Sequence, residues 1–324
     1  MNFFVCEFIT GGGMQHAPLS RQLVREGTMM LSSLLEDLQA AGVEHLLCTR
    51  DPRLPTCNEH VKTIPAEDDA WTLWRRCMEE SAMAWIIAPE TDGILYELTY
   101  MAQASGCQVV GCIPETIKLA ASKCNTILHL ESHHIPCIPV IDNAETAPGC
   151  RTGWVVKPDD GVGAEGCHHF MEINQVIGYM QSQKKRMTLQ EYVPGIAASM
   201  SLLCHKGQAR LLVCNRQLFQ FNAGRGHLQG VVVNGLPQYA GLFDDLAKNI
   251  ASSLPGLSGY VGIDVVIGNN GPQVVEINPR LTTAYAGLRR SLGKNPVEWI
   301  LSTYKTGRLP DLEMIRGVPV TINM

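Results

Sequence analysis

Three oxygen-bearing side chains interrupt two apolar runs near the carboxyl end of the chain: Asp264 in "GIDVV", and Glu276 and Asn278 in "VVEIN". Side chains alternate along a strand, so Glu276 and Asn278 share one face while Val275 and Ile277 are expected to enter the core on the other. The intervening "NNG" (269–271) is turn material. A loop centred on Asn270 places Asp264 directly opposite Glu276, whereas a two-residue turn at Asn270-Gly271 breaks that alignment. Two carboxylates opposed on a sheet repel each other, and a divalent cation removes the repulsion. Asp, Glu and Asn offer oxygen alone, a donor set suited to magnesium or manganese and not to zinc. The plainer reading is an exposed polar strand face with chance acids. Pro279 and Arg280, placed immediately after, weigh against it.

A second group lies upstream in "VVKPDDGVGAEG". Lys157 ends an apolar strand, and Gly161, Gly163 and Gly166 make the following loop flexible enough for its backbone N–H groups to close over phosphate oxygens. Lysine there would act as a point charge; a surface turn would explain the glycines equally simply. A third stretch, "TLQEYVPG", ends a β-run in Gln190, Glu191, Tyr192 and Val193. It reads either as an ordinary edge strand or as a hinge presenting backbone groups and a carboxylate to a purine edge.

These residues need positioning elements. Up to about residue 113, strands "FFVCEFI", "EHLLCT", "AWIIA" and "CQVVG" alternate with helices expected over 23–41, 68–82 and 92–105. That alternation indicates a parallel α/β sheet. Ligands bind at the carboxyl ends of its strands, here the loops "TGGG" (10–13) and "PETDG" (89–93). The glycines of "TGGG" fit a bland turn or a close backbone approach to a ligand equally well. Residues 114–193 form a second unit, entered by one helix through "KLAASKCNTILHLESHH", and 194–324 a third, opening on a hairpin that turns at Lys206-Gly207.

The chain has 324 residues, with 45% hydrophobic and 18% charged content, values of a globular protein. A net charge of −5 lacks the broad basic surface of a nucleic-acid binder. No apolar run approaches the roughly 20 residues of a membrane span. "MNFFVCEFIT" has no basic leader or cleavage site and reads as a strand, not a signal peptide. The twelve cysteines contain no C-x-x-C pair and sit mostly in apolar runs, as reduced thiols of a cytoplasmic protein. The adjacent pairs His133-His134 and His168-His169 read as surface or loop histidines, since neighbours seldom ligate one ion together.

Taken in order, these motifs resemble the ATP-grasp superfamily. "SKCNTILHLESHHIPCIP" matches its lysine-initiated lid helix, "VVKP" its second nucleotide lysine, "DGVGAEG" its phosphate loop, "LQEYVPG" its adenine hinge, and "GIDVV" with "VVEINPR" its metal strands. The resemblance implies an α/β ATP-grasp fold: a Rossmann-like parallel sheet, a small α+β lid, and an α+β domain with an antiparallel sheet. It implies that Lys123 and Lys157 contact ATP, that Gln190 to Val193 bracket adenine, and that Asp264, Glu276 and Asn278 hold Mg2+, with Mn2+ as the alternative. One departure stands out. Many members carry a ribose-binding acid after the hinge, where this chain has Ala197 and Ala198 in "GIAASMS".

Within the superfamily, "EFITGGG", "APE", "NRQ" and "EINPRLTTAYAGLR" are similar to the tyramine–glutamate ligases of methanofuran biosynthesis. The implied reaction joins the glutamate side-chain carboxylate to an aromatic amine, tyramine or a tyrosine-like one, through an acyl phosphate. Phosphoryl transfer needs positioning and charge more than a protein nucleophile. Arg280 would then stabilise the acyl phosphate and Arg216 touch the γ-phosphate. Arg289 would pair with a glutamate carboxylate, unless it only faces solvent. Thr282, Thr283 and Tyr285 would contact substrate, and Glu7, Thr10, Gly11, Gly12 and Glu90 would recognise the amine. The expected partners are glutamate, amine and ATP, without nucleic acid or membrane, in a monomer or homodimer. A rival reading is a nucleotide-binding regulator that has lost turnover, and another is a ligase for a different amino-acid pair.

Overall fold

Short apolar strands alternating with amphipathic helices bury both sheet faces only when the strands run parallel. The computed structural model describes residues 2–56, 61–67, 69–147, 149–312 and 317–324. It opens with β1 (Asn2–Glu7), α1 (Arg21–Ala40), β2 (Leu46–Arg50), β3 (Lys62–Pro65), α2 (Ala70–Glu79), β4 (Ser81–Ile87), α3 (Ile94–Ala104) and β5 (Gln108–Val109). These strands form one parallel sheet in the order β3-β2-β1-β4-β5. Strand order reverses between β1 and β4, which opens a crevice at their carboxyl ends. β3 has no counterpart in the sequence reading, because its four residues, "KTIP", are half-buried or exposed and carry no apolar alternation. The helix expected over 68–82 is shorter: Asp69 caps α2 by accepting the backbone N–H groups of Trp71 and Thr72. Asp68 lies outside the described residues.

The next expectation fails in an informative way. The single helix predicted through "KLAASKCNTILHLESHH" is two, α4 (Pro114–Ala121) and α5 (Lys123–Ser132). Ser122 between them is extended (φ −98°, ψ 114°), and its hydroxyl accepts from Asn125 N. The break makes Lys123 the first residue of a helix.

The rest of the chain builds a second sheet. β6 (Trp154–Pro158), β7 (His168–Phe170), α6 (Ile173–Ser182) and β8 (Met187–Glu191) are followed by β9 (Ile196–His205), β10 (Gln208–Asn222) and β11 (Arg225–Val233). Then come α7 (Ala240–Ser253), β12 (Gly259–Gly268), β13 (Gly271–Asn278), α8 (Tyr285–Leu292), α9 (Pro296–Thr306) and β14 (Val320–Asn323). The order is β13-β12-β9-β10-β11-β7-β6-β8, with β14 on β11. The β6–β8 strands join the others through one pair, His168 with Arg225. The β9–β10 hairpin turns at Lys206 (φ 47°) and Gly207 (φ 76°), as its sequence indicates.

Alternation sorts the two faces of this sheet. Ala198, Met200 and Leu202 on β9, with Ile263, Val265 and Ile267 on β12, pack with residues of α4, α5 and α7. Leu203 and Tyr260 face the other way, toward α8, α9 and α1. On β13 the alternation is interrupted. The hairpin turns at Asn269-Asn270 with Gly268 opposite Gly271, and the register slips between Asp264 and Val265, leaving Val275 without a partner as a β-bulge. Val274 and Ile277 are therefore the core residues, and Val275, expected to be core, is half-buried.

Behind that second face, α1 holds α8 and α9 through one residue. Asp37 is buried; it accepts from Tyr285 Oη (2.9 Å) and Arg289 Nη1 (3.1 Å), and its backbone carbonyl accepts from Asn295 Nδ2 (2.8 Å). Asp37→Ala strands the Tyr285 hydroxyl in the core at a cost of about 1–3 kcal/mol. The expected result is a melting temperature lower by roughly 3–8 °C, measured by differential scanning calorimetry.

Candidate functional site

The bulge delivers Asp264 and Glu276 to the same face, and the two are directly opposed across β12 and β13. Their carboxyl groups are close enough to act on each other electrostatically. Burial first, and then the Glu276 charge, push the Asp264 carboxyl far above the ordinary range. Burial acts upward on Glu276 as well, but Lys123 and Lys157 outweigh it and hold that carboxyl low. A divalent cation would offset the mutual repulsion of the two carboxyl groups. Asn278 is buried two residues beyond, on the Glu276 side of the strand. The set Asp264, Glu276 and Asn278 fits a magnesium ion by its donor chemistry, which is oxygen throughout. Among the described residues no group of three or more acids, histidines or cysteines gathers for a metal. Such a site would be completed by oxygens that are not the protein's, the habit of magnesium with phosphates.

Two lysines face this pair. Lys123 Nζ lies 3.0 Å from Glu276 Oε2 and also donates to the Gly161 carbonyl. Burial would lower the Lys123 pKa, yet the Glu276 charge raises it. Lys157 is lowered, by burial first and with the Lys123 charge assisting. A lysine so strained electrostatically gains from any added anion.

The loop after Lys157 is anchored by a residue that sequence reasoning overlooked. Asp159 Oδ1 accepts from Cys124 N (2.8 Å) and Thr188 Oγ1 (2.8 Å), and Oδ2 from Ser122 Oγ (2.7 Å). Its carbonyl accepts from Lys123 N (3.0 Å). Asp159 thus ties the start of α5, β8 and the glycine loop together, and these bonds hold its carboxyl below the ordinary range against burial. The acid doubled before glycine in "DDG" was the available signal. Gly163 (φ 63°), Ala164 (φ 65°) and Gly166 (φ 70°) curl the loop in the left-handed region.

From the first sheet, Glu90 reaches the same place. It is buried, and its Oε2 accepts from Arg280 Nε (3.1 Å) and Nη2 (2.9 Å). The following turn grips the glycine loop: Thr91 Oγ1 donates to Asp160 O (2.8 Å), Asp92 N to Asp160 Oδ2 (3.2 Å), and Lys185 Nζ lies 3.2 Å from Asp92 Oδ1.

Several expected site residues are placed elsewhere. Arg216 is exposed and paired with Ala198, so it stands on the opposite face of the sheet from Asp264. The next residue, Gln217, is half-buried on the Asp264 face, where its amide acts to lower the Asp264 carboxyl; the period-2 rule applied from Asn215 would have selected it. Glu7 folds back on its own turn, accepting from Ile9 N (3.2 Å), Thr10 N (2.6 Å) and Thr10 Oγ1. Gly11 and Gly12 are packing glycines: a Cβ would fall 2.9 Å from Thr49 Oγ1 at the first and 2.6 Å from Ala66 Cβ at the second. Tyr285 and Arg289 are engaged with Asp37, as described, and not with the acidic pair. Thr282 lies beside Asn278 and bonds Tyr260 Oη (2.9 Å), and Thr283 is half-buried.

In the hinge segment, Gln190 is buried and its amide donates to the Ile138 carbonyl, while Glu191 is exposed. The Tyr192 ring packs on His169 (4.6 Å between centroids) and Phe221 (5.7 Å). Tyr192 N donates to Gly153 O and Tyr192 O accepts from Thr152 Oγ1, so its backbone is already committed. Val193 rests against Gly268. His133 and His134 are exposed, but His168 and His169 sit on β7 in an aromatic cluster and not in a loop.

Comparison with known proteins agrees with this geometry. The ATP-grasp domain family matches residues 120–284, and the pre-ATP-grasp domain family matches 44–117. The chain belongs to the ATP-grasp family. It is 28% identical over 274 residues to a tyramine–L-glutamate ligase of Methanocaldococcus jannaschii, covering 83% of this chain and 80% of that one. A ligase of the same name from Methanocaldococcus fervens is 28% identical, with 82% and 84% covered. An ATP-grasp superfamily structure from Archaeoglobus fulgidus superposes with a TM-score of 0.73 at 20% identity, covering 100% and 99% of the two chains. A biotin carboxylase domain from Hydrogenobacter thermophilus, in complex with MgADP, gives a TM-score of 0.74 at 11% identity over 98% and 72%. The fold is thus α/β ATP-grasp, and the chain is an ATP-dependent carboxylate–amine ligase. No helix among the described residues is long and apolar enough to cross a membrane.

Asp159→Ala removes three side-chain bonds that seat the glycine loop on α5. It should weaken ATP binding by about tenfold or more, at roughly 1 kcal/mol per lost bond, in isothermal titration with a non-hydrolysable nucleotide.

Proposed function

We propose that the chain joins the side-chain carboxylate of glutamate to the amine of tyramine or a tyrosine-like amine, at the expense of ATP, as a step of methanofuran-type cofactor biosynthesis. The carrying observation is the Arg280–Glu90 pair, which sets a guanidinium and a carboxylate side by side next to Asp264 and Glu276. The two archaeal relatives support the choice of substrates.

In this reading Lys123 and Lys157 neutralise ATP phosphates, the amides around Gly161, Gly163 and Gly166 close over them, and Gln190 to Val193 line the adenine edge. Asp264, Glu276 and Asn278 hold magnesium, with manganese able to substitute. When bound, the metal neutralises charge across the phosphate oxygens. Arg280 faces the acyl phosphate that forms when the glutamate carboxylate attacks the γ-phosphate, and its fixed charge meets the oxyanion of the tetrahedral intermediate. Thr282 and Thr283 would contact the substrates.

The test is an ADP-release screen over amino acids and amines, with product mass measured. Release should require magnesium, glutamate and an aromatic amine together; release with another pair of substrates would replace this reading by that pair. Glu276→Gln should reduce turnover by about a hundredfold or more, and Asn278→Ala should raise the magnesium requirement about tenfold. An unchanged magnesium titration in the Asn278 variant would remove that residue from the metal set.

A further inference from the structure

Glu90 is half-used. Both bonds from Arg280 go to Oε2, while Oε1 is buried and has no hydrogen-bond partner among the described residues. The residue is 5% exposed. Leaving a carboxylate oxygen dry and unpaired costs free energy, and native proteins tolerate this chiefly where the group has work to do. The charged and titratable groups around Glu90 are Arg280 after β13, Lys123 at the start of α5, and the Cys112 thiol ahead of α4. None of them satisfies Oε1.

We propose that Glu90 Oε1 is the base that takes a proton from the incoming ammonium. The inference rests on the ligase reading above. An amine arrives protonated and must lose two protons to become an amide. The first passes from the ammonium to Glu90 Oε1. The neutral amine then attacks the acyl-phosphate carbon, the C–N bond forms, and the C–O bond to phosphorus breaks. The second proton leaves the nitrogen with the departing phosphate, and the Glu90 proton is returned to water as product leaves. The other acids are otherwise engaged: Glu276 with Lys123, Asp264 with Glu276 and Gln217, and Glu7 with its own turn. Arg280, fixed on Oε2, leaves Oε1 as the unpartnered acceptor, and in the ligase reading the same guanidinium faces the acyl phosphate.

The experiment compares two nucleophiles in the full-length enzyme with MgATP and glutamate. Tyramine is an ammonium at neutral pH and needs the base. Hydroxylamine is uncharged there and traps the acyl phosphate as a hydroxamate without it. In Glu90→Gln, amide formation with tyramine should fall about 10²- to 10⁴-fold, the usual worth of general base catalysis. Hydroxamate formation should fall less than about tenfold, since glutamine still accepts from Arg280. Equal losses with both nucleophiles, in a variant that keeps its melting temperature, would overturn the assignment, as would an undiminished tyramine rate. Should the glutamine variant not fold, Glu90→Asp serves: withdrawing the carboxylate by one methylene must slow tyramine more than hydroxylamine, and equal slowing overturns it. A wild-type enzyme that forms no hydroxamate from glutamate would instead overturn the ligase reading itself.

Discussion

Two carboxylates facing each other on a buried sheet are the constraint from which the rest follows. In bulk water the repulsion between Asp264 and Glu276 would be minor, but it grows as the local dielectric falls. The fold answers with cations from two directions, Lys123 from a helix start and Lys157 from a strand end. Helix α5 begins at Lys123 because Ser122 is extended and Asp159 receives the orphan N–H of Cys124. Had the helix run unbroken through Ser122, Asp159 would have met no open N–H there. The acidic pair thus explains the break, the cap and the seat of the glycine loop as parts of one arrangement.

A second constraint joins the two sheets. Around the acidic pair stand Lys123, Lys157 and Arg280, with Glu90 as a third carboxyl group. A nucleotide polyphosphate would bring further negative charge to this cluster, which divalent cations entering with it would offset. Glu90 comes from the crevice where strand order reverses in the first sheet, so its ion pair with Arg280 spans both layers. The turn behind it bends through Asp92 (φ 54°) and Gly93 (φ 74°). A non-glycine residue in that region is uncommon, and here it turns the Asp92 N–H toward Asp160. Closure of the glycine loop and placement of Glu90 therefore share three residues of backbone.

Sequence patterning reached the residues whose signal is local. The opposition of Asp264 and Glu276, Lys157 at a strand end and the Lys206-Gly207 turn are written in strand alternation and turn chemistry, whereas Lys123 rests on the family resemblance. It missed what depends on distant partners. Tyr285 and Arg289 read as substrate groups because Asp37, some 250 positions earlier, leaves no trace beside them. For "TGGG" a ligand loop and a bland turn read equally well, because the tight fit against Thr49 and Ala66 exists only in three dimensions. Arg216 read as a γ-phosphate contact from the family resemblance, while alternation from Asn215 places Gln217 on the Asp264 face. The orphaned oxygen of Glu90 could not be foreseen at all, since it is a property of what surrounds the residue and not of the residue.

The β-bulge at Val275 shows how narrow the margin was. The β12–β13 hairpin turns over two residues, Asn269 and Asn270, and continued without interruption that register would set Asp264 opposite Val275 and Ile263 opposite Glu276. Glu276 would then project into the apolar layer of Ile263, Val265 and the α4, α5 and α7 helices, where an unpaired carboxylate is prohibitively costly. One extra residue reverses the parity of everything after it, because side chains alternate with a period of two. Val274 and Ile277 consequently both enter the core although three positions apart, and Glu276 and Asn278 turn to the Asp264 face. The expected pairing of Asp264 with Glu276 is thus reached by a different route, a tighter turn plus a bulge. Deleting Val275 would leave a regular hairpin with Glu276 still opposite Asp264; with Val275 present it is the bulge, and not the turn, that keeps Glu276 on the Asp264 face.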